Sequence, residues 1–130
     1  MTVNERAEKA VEYKHKGCNC CQAVVSALAD LTDADVKTLQ KLSSGFGAGM
    51  GCMEGTCGAL CGAVIMAGLL KDGKGTPSAS RAILNDFQKR CGATICKDLK
   101  KRTNGKPLCE CDDCVRNAVY AIDDTLHLPE

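Results

Sequence analysis

The chain has 130 residues, 17 of them basic and 16 acidic, with 45% hydrophobic residues but no Trp, two Tyr and two Phe. So even a charge balance provides no field to steer nucleic acid or an anionic membrane, and so few rings exclude a base-stacking platform. The length suits one domain over residues 1–130, its core built from Ala, Val, Leu, Ile, Met and Cys.

Thr2 and Glu5 have the spacing of a capping box. Val3, Ala7, Ala10, Val11 and Lys14 follow with helical period, and Gly17 can end that helix. A second helix carries Cys20, Cys21, Val24, Ala27, Leu28 and Leu31. Thr32 with Asp35 predicts the start of a third, with Val36, Leu39 and Leu42 turned inward. Residues 45–55 hold five glycines. Each would cost a helix interior about 1 kcal/mol, so this segment is predicted to be irregular.

Residues 57–70 are apolar on every side, which predicts a buried central helix, too short for the ~20 residues that span a bilayer. Gly73 and Gly75 close it. Thr76 reads as the N-cap of the next helix, with Pro77 at its first position and Ile83, Leu84, Phe87 and Cys91 on one face. A short helix is predicted over 95–101, a turn over 104–107, and a last helix from about Asp112. Val115, Ala118, Val119, Ile122 and Leu126 form its buried stripe. No run alternates well enough to predict a strand. The fold class is all-α, a small bundle of about five to six helices with a Gly-rich loop before a buried central helix.

Eleven cysteines set this chain apart, and an odd number cannot all pair. The opening residues lack the basic and apolar blocks of a secretion signal, so a cytoplasmic location is expected. There, thiols bind metal or do redox chemistry more often than they form scaffolds. They fall into four groups: Cys18, Cys20 and Cys21; Cys52, Cys57 and Cys61; Cys91 and Cys96; Cys109, Cys111 and Cys114. Each group lies at a helix end or the adjoining turn, and antiparallel packing can gather alternate ends. Thiolates are soft ligands that suit zinc or an iron–sulfur cluster.

Cys111 and Cys114 lie one turn apart at a helix start, where the dipole lowers a thiol's pKa. They join Cys57 as redox candidates. Cys61 shares a face with Cys57 but reads equally as a small core residue, and Cys91 reads as packing. The spacings match neither the bacterial ferredoxin run nor a pair of zinc knuckles. Gly45, Gly47 and Gly49 read either as a flexible connector or as a close-approach loop aiming N–H groups at a bulky cofactor. His15 and His127 read as surface residues, and the basic run 97–102 as a solvated helix face.

Taken together, Asn19-Cys-Cys-Gln-Ala-Val24, Gly45-Phe-Gly-Ala-Gly49, Cys57-Gly-Ala-Leu-Cys-Gly62, Cys96 and Cys114-Val115 resemble the redox-active C_GCAxxG_C_C family over nearly the whole chain. The family's core is written Gly-Cys-Ala where this chain has Cys57-Gly58-Ala59. Carried over position by position, the resemblance implies that Cys20, Cys57, Cys96 and Cys114 are the family cysteines and metal ligands. Cys52, Cys61 and Cys111 are then substitutes or a second set, and Gly58 stands with the loop glycines as cofactor-binding. An iron–sulfur centre is assigned in a similar module fused to some multihaem cytochromes. The resemblance therefore implies electron transfer, with an oxidoreductase or other redox protein as partner. Two other readings stand beside it: a thiol–disulfide oxidoreductase or redox sensor, and a structural zinc module.

Overall fold

The computed structural model describes residues Met1–Glu130. Seven α-helices account for most of the chain: α1 (Val3–His15), α2 (Cys20–Leu28), α3 (Val36–Ser43), α4 (Gly58–Leu70), α5 (Thr76–Cys91), α6 (Cys96–Lys100) and α7 (Cys111–Leu126). The expected all-α class holds, with more helices than the sequence suggested. Helix α4 packs against α2, α5 and α7, and α1 closes the bundle against α2 and α7. A contiguous core of 27 buried residues runs between them, with Phe87, Leu28, Leu39, Leu60 and Met66 among its largest side chains. Small residues set the closeness of this packing. A Cβ on Gly62 of α4 would stand 2.9 Å from the Cys21 carbonyl oxygen and 3.0 Å from Val24 Cβ, so α2 and α4 meet nearly backbone to backbone.

Helix starts follow local chemistry. Thr2 and Glu5 form the expected capping box on α1. Asn19 and Gln22 form a second on α2, each side chain accepting from the other's backbone N–H at 2.9 Å. This fixes the direction in which Cys20 and Cys21 enter the helix.

Several boundaries differ from the sequence reading. Helix α3 starts at Val36, capped by Asp35, because the Thr32 hydroxyl is spent in a turn, donating to the Ala29 carbonyl. Its inward face carries Leu39 and Ser43, while Leu42 is 63% exposed. Ser43 can lie inside because its hydroxyl donates to the Leu39 carbonyl at 2.7 Å. Helix α5 is capped by Gly75, whose φ of +66° turns the chain so that Thr76 is already helical and Pro77 falls within the first turn. Leu84 on α5 and Leu69 on α4 are exposed at the rim.

A two-residue hairpin, β1 (Arg102–Thr103) with β2 (Lys106–Pro107), forms where only a turn was expected. Asn104 and Gly105 both take positive φ, the demand of the tight turn that joins twisted strands. The glycine segment is irregular as predicted, a short turn at Ser44–Phe46 and a wider one at Gly49–Met53 with Met50 and Gly51 left-handed. No helix is long and apolar enough to cross a membrane.

Candidate functional site

The cysteines gather where helices begin. Cys20 is the first residue of α2, Cys57 the N-cap of α4, Cys96 the first residue of α6, and Cys111 opens α7 one turn before Cys114. All five line one cavity of about 200 Å³, together with Cys18, Asn19, Ala48, Leu99, Lys14 and Lys100. No carboxylate or imidazole lines it. Unpaired N–H groups at the starts of α2, α4 and α7 favour negative charge on those sulfurs.

Backbone pairing brings the segments together. The Cys57 N–H donates to the Thr94 carbonyl at 2.8 Å, and the Cys96 N–H to the Gly55 carbonyl at 3.0 Å. These two bonds flank an antiparallel bridge between Thr56 and Ile95 and set Cys57 beside Cys96. The Cys109 N–H donates to the Leu99 carbonyl at 3.1 Å, holding the approach to α7 against α6. Lys14 Nζ donates to Asp112 Oδ1 at 2.8 Å, fastening α1 to the first turn of α7.

Two glycines are required by this crowding. A Cβ on Gly58 would lie 2.5 Å from Cys20 Sγ, and one on Gly49 would lie 2.5 Å from Cys96 Cβ. Gly49 also holds φ at +57°. Of the other loop glycines, Gly47 packs on the Asn19 side chain and Gly45 stands free. The loop meets the cavity through Ala48, whose backbone N–H faces the Cys20 sulfur.

The thiols form a connected chain. Hydrogen bonds from Cys114 and Cys20 pull the Cys57 pKa down to about 3. The N–H groups of Leu60 and Ala59 add to this, although none makes a formal side-chain cap. Cys20 is raised, as donor to Cys57 and by burial. Cys91 is pulled down to about 4 by Cys109 and Cys114, with Asn117 Nδ2 3.3 Å from its sulfur. Cys114 is raised, by its contacts with the Cys109, Cys57 and Cys91 thiols and by burial. Burial raises Cys96, and the nearby Lys100 ammonium offsets part of that rise. Burial opposes the Lys100 charge, but the sulfurs of Cys111 and Cys96 outweigh it and raise its pKa.

The remaining cysteines lie elsewhere. Cys52 is exposed on the glycine loop, its thiol 3.8 Å from the Gly49 carbonyl. Cys61 faces an apolar groove shared with Phe46, Val64 and Ile65, and burial raises it to about 11. Cys21 is a core residue pushed up to about 12 by burial. His15 and His127 are exposed.

Sequence reasoning passed over two features. Lys100 belongs to a basic run, yet it sits four residues after Cys96, on the same face of α6, and lines the cavity. Cys91 is buried as expected, but among thiols rather than hydrocarbon alone: its sulfur and those of Cys109 and Cys114 all lie within 4.8 Å of one another. The residue pattern gives no hint of that meeting.

Fold and site together define a class: a helical, cysteine-rich protein whose thiols converge at helix N-termini, with a buried cluster able to hold a metal. Within it, the chain belongs to the C_GCAxxG_C_C family, described as "Putative redox-active protein", which matches residues 18–125. No curated protein and no solved structure matches it.

Proposed function

We propose that the protein is an electron carrier whose centre is an iron–sulfur cluster held by Cys20, Cys57, Cys96 and Cys114. The observation that carries this reading is the shared cavity: four thiols from four separate helix starts face one space with no competing hard ligand. The fit extends to the surroundings. Gly58 and Gly49 leave no room for a side chain against Cys20 Sγ and Cys96 Cβ, so backbone passes close to both cysteines. Lys14 and Lys100 supply positive charge beside an anionic ligand set. When bound, such a cluster supplies one-electron transfer. The protein's own residues hold the thiolates, aim the Ala48, Leu60 and Ala59 N–H groups at sulfur, and thereby tune the potential. Cys111, on the cavity wall, is the spare ligand, and the natural partner is an oxidoreductase or other redox protein.

Anaerobic purification should yield a coloured protein with iron and acid-labile sulfide, and Cys96→Ser should lose both. A colourless, iron-free product after anaerobic reconstitution would sink the proposal.

One observation favours a second reading, a thiol–disulfide enzyme or redox sensor. The lowered pKa of Cys57, in contact with Cys20 and Cys114, is what an attacking thiolate with a neighbouring resolving thiol requires. Peptide mapping after poising the protein at cellular redox potentials separates the two, since only this reading yields a Cys57 disulfide that cycles.

A further inference from the structure

Behind the cavity lies a second group of sulfurs, two of which, Cys91 and Cys109, the proposed centre does not use, while the third, Cys114, also lines the cavity. Cys91 ends α5, Cys109 lies in the loop before α7, and Cys114 is in the first turn of α7. The three are 4%, 9% and 4% exposed. Mutual sulfur separations within 4.8 Å leave space for one ion at their centre, and no further His, Cys or carboxylate joins them within that radius.

We propose that Cys91, Cys109 and Cys114 form a second metal site, a three-thiolate site for a soft monovalent d10 cation, copper(I). The donor count points to this ion. Structural zinc closes its shell with four ligands, whereas cuprous ion is content with three thiolates and is selected by soft sulfur. Burial excludes the water that would complete a zinc shell.

The group also has an outer support of the kind that metal sites show. Asn117 Nδ2 lies 3.3 Å from Cys91 Sγ and turns its amide donor, not its oxygen, toward the sulfur. Binding releases the protons the thiols still carry and leaves excess negative charge on the sulfurs. The Asn117 amide, the N-terminal end of α7 and the Lys100 ammonium near Cys114 face that charge. Cys114 belongs to both sites, so the two centres meet at one sulfur.

The test uses the full chain, anaerobically, with copper(I) alone. Cys20→Ser/Cys96→Ser disables the outer centre and leaves the inner one whole. It should bind one copper(I), with the emission of a water-shielded cuprous thiolate and three sulfur neighbours by X-ray absorption. Adding Cys91→Ser/Cys109→Ser should abolish the emission and weaken binding more than about 100-fold, beyond the usual outer-support effect. Asn117→Ala, which leaves every ligand in place, should weaken it about tenfold. Two or fewer sulfur neighbours, or emission that survives the Cys91/Cys109 change, overturns the proposal. Iron and sulfide in the wild-type protein report on the outer centre separately, so either reading can fail alone.

Discussion

Two glycines on α4 make opposite predictions from one chemical change. Alanine in a helix interior is favoured over glycine by about 0.8–1.0 kcal/mol. At Gly68 the added methyl meets only Thr76 Cγ2, at 3.9 Å, an ordinary contact. Gly68→Ala should therefore stabilise the protein by up to about 1 kcal/mol. At Gly58 the same methyl falls 2.5 Å from Cys20 Sγ and 2.8 Å from the Phe46 carbonyl oxygen. Restoring a carbon contact of about 3.5 Å requires a shift of about 1 Å by α4, α2 or the glycine loop. Overpacking of this kind costs about 1–3 kcal/mol, more than the first-turn propensity gain returns. Gly58→Ala should therefore be destabilised by about 1–2 kcal/mol and should move Cys20 away from Cys57. Urea unfolding followed by circular dichroism reads the stabilities, and alkylation rates mapped by mass spectrometry read Cys20. If Gly58→Ala matches Gly68→Ala in stability and leaves Cys20 reactivity unchanged, the close approach argued for α2 and α4 is wrong.

Two other expectations concern charge. Arg6 is 4% exposed and reaches the Ala27 carbonyl and both carboxylate oxygens of Asp30, which is 48% exposed. Asp30→Ala strands a buried cation and should cost about 3 kcal/mol, whereas Arg6→Met leaves a carboxylate that water can reach and should cost less. Arg6 lowers the Asp30 pKa, so the pair's contribution is full above about pH 4 and is lost as pH falls through the lower folded value. Urea midpoints measured across pH 2–6 should show that slope flatten in Asp30→Asn. Lys100→Gln removes the cation that offsets burial of Cys96. The pH at which Cys96 becomes reactive to iodoacetamide should rise, and an unchanged profile would show that Lys100 does not act on it.

Local signals in the sequence were readable where one element decides the outcome. Thr2 with Glu5 and the stripe of α7 needed no partner to be recognised. The Asn19–Gln22 box was equally local and went unread because Asn and Gln are quieter versions of the same pattern. What depended on neighbours was not legible. Leu42 points outward because α3 is covered chiefly by α2, so its buried face is narrow and Ser43 takes the inner position. At the site, the cysteines' places at helix ends and adjoining turns could be read, but which ends converge depends on the bridge between Thr56 and Ile95, set by backbone pairing that carries no side-chain signature. The nearness of Cys91 to Cys109 and Cys114 arises from the packing of α5 on α7, a long-range contact that spacing cannot encode.

The same bridge makes the stretch between residues 57 and 96 a closed excursion. The chain leaves the sulfurs at Cys57, runs out along α4, turns at exposed Asp72, Gly73 and Lys74, and comes back along α5 to its starting point. Both ends are pinned at one seam, so the far tip can lengthen or shorten while the sulfur positions stay put. A residue added or removed at that tip falls at the end of the bundle remote from the cysteine cavity.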